Sequence, residues 1–292
     1  MLQVGVLSGK GGTGKTVVTA ALADVLPGRL AFADCDVEAA NLALLLSPRE
    51  KGRIPFFGMK KATIREETCV ACGLCMAACR FHAICQGEGG TYRVDPIRCE
   101  GCAVCRDVCP ERAISMLEHQ DGEILLADTD RGPLVYAELR PGSGNSGLLV
   151  HEVKKAALKE SEGRDLLLID GPPGIGCPVI STLSGISAAV MVTEPGIAAL
   201  HDLRRLVTVS SGFSLSHWVV INRADLHPGY TRKIELFCEE KGIPVIGRIP
   251  FDPAVIHAVR DGVPVTRRDC PASRELAGIG KRLAEGLSYV PG

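Results

Sequence analysis

The feature that most restricts the fold of this chain is a glycine-rich loop between a short apolar segment and a helical segment. The apolar segment Leu2–Leu7 precedes Ser8–Thr16, which reads S-G-K-G-G-T-G-K-T and fits the pattern G-x-x-x-x-G-K-[ST]. Glycines allow backbone N–H groups to surround phosphate oxygens, and the N-terminus of the following helix adds a partial positive charge. The loop therefore predicts a nucleotide-binding α/β domain.

Each part of this loop is predicted to bind a particular part of a magnesium nucleotide, either ATP or ADP. Lys15 should reach the β- and γ-phosphates, and the hydroxyl group of Thr16 should bind Mg²⁺. Lys10 places a second ammonium group beside the same phosphates. The alternative is a glycine loop without a ligand, which the strand–loop–helix context disfavours. The remaining cradle positions are Gly9, Gly11, Gly12, Thr13 and Gly14.

Short apolar runs alternate with helical patterns over most of the chain. Several runs are apolar throughout, as expected for strands covered on both faces in a parallel sheet. The predicted strands are Leu2–Leu7, Leu30–Ala33, Leu166–Ile169, Ala189–Val192, Trp218–Ile221 and Val245–Ile249. The predicted helices are Thr16–Val25, Leu148–Lys159, Ala198–Ser210 and Tyr230–Lys241. This alternation predicts the α/β class with a doubly wound, mostly parallel sheet.

The composition disfavours several functional classes. The formal net charge of the 292-residue chain is −1, so the charge balance gives no indication of nucleic-acid or anionic-membrane binding. No apolar run approaches the ~18 residues that span a bilayer. The N-terminal segment also lacks the basic region and cleavage site of a signal peptide. We therefore expect a cytoplasmic protein without a membrane span.

A second constraint is a repeat of cysteines at an offset of thirty residues. Eight of the thirteen cysteines form two runs with the spacing C-x₂-C-x₂-C-x₃-C. A duplicated unit that interrupts an α/β pattern predicts an inserted domain. We assign residues 60–117 to an α+β insert, and residues 1–59 and 118–292 to a discontinuous ATPase domain.

The spacing of these cysteines is specific for cubane iron–sulfur clusters. In each run three closely spaced thiolates hold one 4Fe–4S cluster, and the fourth cysteine binds the other cluster. The first predicted ligand set, here the Cys69 set, is Cys69, Cys72, Cys75 and Cys109. The second, here the Cys99 set, is Cys79, Cys99, Cys102 and Cys105. Zinc is the alternative because Cys₄ zinc sites also use C-x₂-C, but a zinc site has no use for the additional two thiolates of each run.

Residues 62–117 as a whole resemble the bacterial two-cluster ferredoxins. The resemblance implies clusters that are bound permanently for electron transfer. One position departs from that family: Pro110 follows the last cysteine of the second run, whereas Arg80 follows the last cysteine of the first. The departure removes no ligand, but it bears on solvent access near the Cys99 set.

The glycine loop, in the form K-G-G-x-G-K-T, resembles the deviant Walker A motif of the MinD/ParA/Mrp and nitrogenase iron-protein family. The resemblance implies a homodimer with ATP between the subunits, in which Lys10 reaches the partner's nucleotide. It implies that Asp36, in a switch after the second strand, orients the attacking water. It also implies that Asp170, which ends an apolar Walker B strand, belongs to the Mg²⁺ shell. The alternative is that both aspartates merely cap strand ends.

Two later segments resemble positions that contact adenine in that family. Asn222 ends one strand, and Pro250 and Phe251 follow another. Ligands gather at the carboxyl ends of strands in an open parallel sheet, so these positions are expected near the nucleotide.

The remaining cysteines and the C-terminal segment are predicted to be structural. Cys177 follows Asp170 at the spacing of a bridging-cluster ligand in the nitrogenase iron protein, but residues 142–147 contain no second cysteine. A third cluster is therefore not expected. Buried positions are predicted for Cys35, Cys85, Cys238 and Cys270. The helical stripe Leu276, Ile279, Leu283 and Leu287 is predicted to pack on the sheet rather than on a membrane.

Three functions are compatible with these features. The first is ATP-gated electron transfer with an unidentified redox partner, because the insert begins soon after the Asp36 switch. The second is a scaffold or maturation ATPase for metal cofactors, as in the Mrp branch, although the C-x-x-C of that branch does not occur after Cys177. The third is spatial positioning, as in MinD.

Overall fold

A computed structural model describes residues 1–87, 89–140 and 142–287. Within these ranges the backbone forms thirteen strands and ten α-helices. The strands are β1 (Leu2–Ser8), β2 (Leu30–Asp34), β3 (Arg49–Phe57), β4 (Lys61–Ile64), β5 (Ile84–Gln86), β6 (Tyr92–Val94), β7 (Ile114–Leu117), β8 (Gln120–Thr129), β9 (Gly132–Leu139), β10 (Leu166–Pro173), β11 (Ala188–Thr193), β12 (Ser216–Asn222) and β13 (Val245–Ile249). The helices are α1 (Lys15–Val25), α2 (Leu42–Leu46), α3 (Leu74–Ala78), α4 (Val104–Asp107), α5 (Ser146–Glu160), α6 (Cys177–Leu183), α7 (Ile197–Ser210), α8 (Pro228–Lys241), α9 (Pro253–Arg260) and α10 (Pro271–Leu287).

Nine strands of the described ranges form one sheet in the order β13-β12-β11-β1-β10-β2-β9-β8-β3. The six neighbouring pairs from β13 to β9 are parallel. The predicted α/β class with a mostly parallel sheet is therefore confirmed, and all six predicted strands are present. Asp170, within β10, lies opposite Asp34 at the end of β2. This register places two carboxyl groups side by side at the carboxyl edge of the sheet.

The larger of two compact units comprises Met1–Ile54, Ile124–Glu138 and Ser146–Gly292. Its core contains the inward faces of the central strands together with α1 and α10. The C-terminal stripe is buried there, as predicted, with Leu276, Ile279 and Leu283 fully covered. A Cβ atom at Gly247 of β13 would lie 2.2 Å from the Cγ1 atom of Ile279, so glycine allows α10 to approach the sheet closely.

One edge of the sheet was not predicted from the sequence. Strands β9, β8 and β3 extend it beyond β2, and most of β3 is exposed. The turn between β8 and β9 is tied to the end of α1, because Arg131 donates hydrogen bonds to the carbonyl oxygens of Ala23 and Leu26 at 3.1 and 2.5 Å. The turn between β8 and β9 therefore supports the helix that follows the glycine loop.

The smaller unit comprises Pro55–Glu123 and Leu139–Asn145. The limits 60–117 derived from the sequence lie inside the first of these segments. The unit contains two antiparallel pairs, β4 with β7 and β5 with β6. Its backbone follows the thirty-residue repeat, because left-handed φ angles recur at equivalent positions. These are Ala71 and Gly101 (56° and 69°), Gly73 and Ala103 (77° and 64°), and His82 and Arg112 (50° and 48°).

The cysteines outside the two ligand sets differ in exposure. Cys35, Cys238 and Cys270 are buried as predicted, and Cys177 is exposed. The prediction for Cys85 was wrong. In β5, a strand of a small hairpin, Ile84 is buried whereas Cys85 is exposed. No helix within the described residues is both long enough and apolar enough to span a membrane.

Candidate functional site

A cavity of about 490 Å³ lies beside the glycine loop in the larger unit. Three segments supply most of its lining: the loop and the start of α1, residues 36–41 after β2, and residues 172–178 from the last residues of β10 onward. All three follow the carboxyl ends of parallel strands, where open α/β sheets bind their ligands. Its volume lies within the usual range of small-molecule sites.

The glycines of the loop are required by close contacts and by backbone conformation. Gly12 and Gly14 have φ angles of 81° and 89°, which residues with a side chain rarely adopt. A Cβ atom at Gly14 would lie 2.3 Å from the Nδ2 atom of Asn222, and one at Gly9 would lie 2.6 Å from the backbone of Asp202. Asn222 instead donates a hydrogen bond from Nδ2 to the carbonyl oxygen of Thr13 at 2.8 Å. Asn222 therefore fixes the loop directly before α1.

Lys15 and Asp170 form the centre of the site. The Nζ atom of Lys15, which is only 6% exposed, lies 2.9 Å from Oδ2 of Asp170 and 3.5 Å from Oδ2 of Asp36. Burial opposes the positive charge of Lys15, but Asp170 and Asp36 outweigh that effect and raise the pKa of the lysine. Asp170 also accepts hydrogen bonds from the hydroxyl groups of Thr16 at 2.8 Å and Thr19 at 2.6 Å. The structure thus brings together the predicted phosphate, magnesium and water-orienting residues.

Asp34 is a member of this site that the sequence analysis did not identify. Its side chain is fully buried and accepts hydrogen bonds from the backbone N–H groups of Asp36 at 3.0 Å and Leu42 at 2.9 Å. Burial and the adjacent Asp170 raise the pKa of Asp34 to about 8. Asp34 therefore holds the segment that carries Asp36. The pattern Asp-x-Asp at the end of β2 was the available signal.

Lys10 and Lys15 pair with different carboxylates. Its Nζ atom lies 2.7 Å from Oε1 of Glu194, and the other carboxylate oxygen of Glu194 lies 2.9 Å from Arg223. Glu194 was also missed, because it follows β11 without a recognisable motif. In this chain Lys10 is thus held by a carboxylate of its own subunit.

Two of the three positions predicted to contact adenine lie outside the cavity beside the glycine loop and, among the described residues, make no hydrogen bond with that loop. Pro250 and Phe251 follow β13 at the same sheet edge, but neither lines the described cavity. The backbone N–H of Phe251 donates to Oδ1 of Asp225 at 2.7 Å, while its ring is exposed. This bond joins the segments that follow β12 and β13.

The smaller unit contains two cavities lined by cysteines. One is lined by all four members of the Cys69 set, and the other by all four members of the Cys99 set. The backbone N–H groups of Ala83 and Ala113 donate to the sulfur atoms of Cys79 at 3.4 Å and Cys109 at 3.3 Å. These are the two cysteines that cross between the runs. Within the described ranges, no three or more His, Cys, Asp or Glu side chains converge on a site for a single metal ion.

The parallel sheet, the glycine loop before α1 and the lysine–aspartate centre define a P-loop ATPase. The chain belongs to the CobQ/CobB/MinD/ParA nucleotide-binding family, whose profile matches residues 4–265. Its fold is similar to that of the septum site-determining protein MinD of Pyrococcus horikoshii in complex with Mg-ADP. That similarity has a TM-score of 0.59 at 18% identity and covers 99% of this chain and 98% of the other.

Two relatives illustrate the range of similar sequences. An uncharacterised protein of Methanocaldococcus jannaschii is 31% identical over 229 residues, which cover 78% of this chain and 80% of the relative. The iron–sulfur cluster carrier protein of Pyrococcus horikoshii is 25% identical over 309 aligned residues, which cover 99% of this chain and 88% of the relative.

The raised pKa of Asp34 predicts a pH-dependent stability. Because the folded protein binds the Asp34 proton more tightly than the unfolded chain, this group stabilises the fold at low pH. That contribution is lost as the pH rises from about 4 to about 8. The stability of the wild type relative to Asp34→Asn should therefore fall across this window, by on the order of 5 kcal/mol. Urea unfolding of the nucleotide-free proteins at several pH values measures it.

Asp165→Asn is the matched control for this experiment. Arg29 lowers the pKa of Asp165 to about 2, so its contribution is lost only as the pH falls below the range tested. The difference between wild type and Asp165→Asn should therefore stay constant from pH 5 to 8. A constant difference for Asp34→Asn as well would contradict the raised pKa of Asp34.

Proposed function

We propose that this chain is an ATPase that transfers electrons through two resident 4Fe–4S clusters, in cooperation with an unidentified redox partner. One observation carries the proposal: each crossed ligand set predicted from the spacing lines a single cavity. The donor set fits the group, since four thiolates are the usual ligands of a 4Fe–4S cluster. When bound, each cluster would accept and release one electron at a time.

The crossed arrangement supports resident rather than transferable clusters. Each set takes three cysteines from one run and one from the other, so each cavity depends on both halves of the folded repeat. The N–H donors of Ala83 and Ala113 lie at the crossing cysteines, where hydrogen bonds to sulfur stabilise the negative charge of a cluster. Release of a cluster would require the two halves to separate.

The larger unit supplies the residues for Mg-ATP. Thr16 and Asp170 offer adjacent oxygen atoms, which are the ligands that Mg²⁺ prefers, and the ion would neutralise phosphate charge. Lys15 would leave its carboxylate partners in part to hold the β- and γ-phosphates, and Asp36 would orient the attacking water. We assign the adenine base to the side of Asn222, with Pro250 and Phe251 at its rim.

ATP hydrolysis is proposed to occur in a homodimer. Lys10 would reach the nucleotide of the partner subunit, which requires it to leave Glu194 of its own chain. Because Lys10 is about one-third exposed, this exchange costs less than breaking a buried ion pair.

The crossed ligand sets predict the outcome of two cysteine substitutions. Anaerobically purified protein should contain about eight iron and eight sulfide per chain. Cys72→Ser and Cys79→Ser should damage different clusters although both residues belong to the first run, so the double variant should lose both. Cys85→Ser is the control and should retain the full content, because Cys85 lies outside both cavities. Stoichiometric zinc without visible absorbance would overturn the proposed clusters, and a double variant with one intact cluster would overturn the crossing.

The position of Asp36 predicts a separation of binding from hydrolysis. Asp36→Ala should still bind ATP, because the glycine loop and Lys15 are unchanged. Hydrolysis should fall at least about a hundredfold, as when other groups that act in the transition state are removed. Glu38→Ala is the control, since Glu38 lines the same cavity, is exposed and has no proposed part in the reaction. Hydrolysis within threefold of wild type in Asp36→Ala would exclude the assignment.

Cluster delivery is the second candidate function, because a relative of nearly full-length coverage is named an iron–sulfur cluster carrier. The two functions differ in what Mg-ATP does to the loaded protein. For electron transfer, Mg-ATP should shift a cluster potential while the iron stays bound in the presence of an apo-ferredoxin. For delivery, Mg-ATP should move iron and sulfide to the apo-ferredoxin, and such transfer would replace the first proposal by the second.

A further inference from the structure

A buried lysine contacts the backbone of a cysteine that lines one of the two cysteine-lined cavities. Lys61, the first residue of β4, is 6% exposed. Its Nζ atom donates a hydrogen bond to the backbone carbonyl oxygen of Cys99 at 2.6 Å. Among the residues that the structure describes, no carboxylate pairs with this ammonium group. The adjacent Lys60, in contrast, is exposed.

A buried ammonium group with one carbonyl partner is unfavourable unless negative charge lies nearby, because burial removes its hydration. The Cys99 set provides such a charge once it is loaded, since four thiolates around a 4Fe–4S core give a net anion. A cluster bound by its neighbour Cys99 would therefore compensate the charge of Lys61, in addition to Glu66 and Glu118, which line one cavity with this lysine.

The thirty-residue repeat supplies an internal comparison. The position equivalent to Lys61 in the second half is Thr91, which carries no charge. Each cavity is lined by one glutamate, Glu100 for the Cys99 set and Glu111 for the Cys69 set, although the two glutamates do not occupy equivalent positions of the repeat. Cys79 and Cys109 also each accept a hydrogen bond from a backbone N–H group at equivalent positions of the repeat. Lys61 is thus a buried charge that one half of the repeat has and the other half lacks.

We propose that Lys61 raises the reduction potential of the cluster held by the Cys99 set above that of the cluster held by the Cys69 set. The inference rests on the proposed function. Reduction adds one electron from a one-electron donor and changes no ligand bond, so the cluster gains one negative charge as the donor loses one. A buried positive charge stabilises the reduced form more than the oxidised form. An electron that enters the protein therefore resides mainly on the cluster held by the Cys99 set.

Potentiometric titration of the anaerobic full-length protein, with dithionite as reductant and reduced clusters followed by electron paramagnetic resonance, tests the assignment. Lys61→Met should lower one potential by about 59 mV or more, which is a tenfold change in a one-electron equilibrium. The other potential should not move. Lys61→Arg should stay near wild type. Lys60→Met, which removes the same charge from an exposed neighbour, should move neither potential.

Two further variants identify the affected cluster and provide a test that does not depend on whether Lys61→Met folds. Cys102→Ser should alter the same redox transition that Lys61→Met lowers, because Cys102 belongs to the Cys99 set. Thr91→Lys places an ammonium group at the equivalent position and should raise the other potential, so the gap between the two narrows. If Lys61→Met does not fold, the gap in Thr91→Lys decides the question.

The outcomes separate this assignment from the proposed function. The role of Lys61 would be overturned if Lys61→Met keeps two intact clusters with unchanged potentials. It would also be overturned if the difference between the two potentials is unchanged in Thr91→Lys. Neither outcome would contradict the presence of the clusters. A wild-type protein without iron and sulfide would overturn the proposed function and this assignment with it.

Discussion

The buried contact between Lys15 and Asp170 is the interaction on which the nucleotide site depends. It joins the first residue of α1 to Asp170 within β10, and Asp170 also accepts hydrogen bonds from the hydroxyl groups of Thr16 and Thr19. Asp34, opposite Asp170 in the sheet, holds the segment of Asp36 through backbone hydrogen bonds. Buried charges are stable only with their partners, so the glycine loop, the Walker B strand and the switch form one electrostatic unit.

The smaller unit depends on a different constraint. Its apolar core is small, and the cysteines Cys75 and Cys99 are themselves part of it. Small units often need a metal or a disulfide, because they bury too little apolar surface to offset the loss of chain entropy. Clusters shared between the two halves of the repeat would supply this stabilisation. The same groups would then serve both folding and electron transfer.

The two halves of that unit also show how a duplicated backbone can acquire unequal chemistry. The left-handed positions, the short helices and the N–H groups that face sulfur recur at thirty-residue spacing. A lysine and a threonine occupy one equivalent pair of positions, Lys61 and Thr91. A single side chain can therefore distinguish two sites whose ligands are identical, because the potential of a cluster responds to nearby charge.

The sequence alone determined the features that rest on local pattern. The glycine loop, the six apolar strands and the C-terminal stripe each follow from short-range periodicity and spacing, and the structure confirms those elements. Tertiary structure alone decided which distant residues meet. β3 was missed because its charged, exposed residues lack strand periodicity, and Asp34, Glu194 and Lys61 were missed because their partners lie far away in the sequence. Their roles arise from burial and from neighbours across the sheet or the repeat, and a linear pattern records neither.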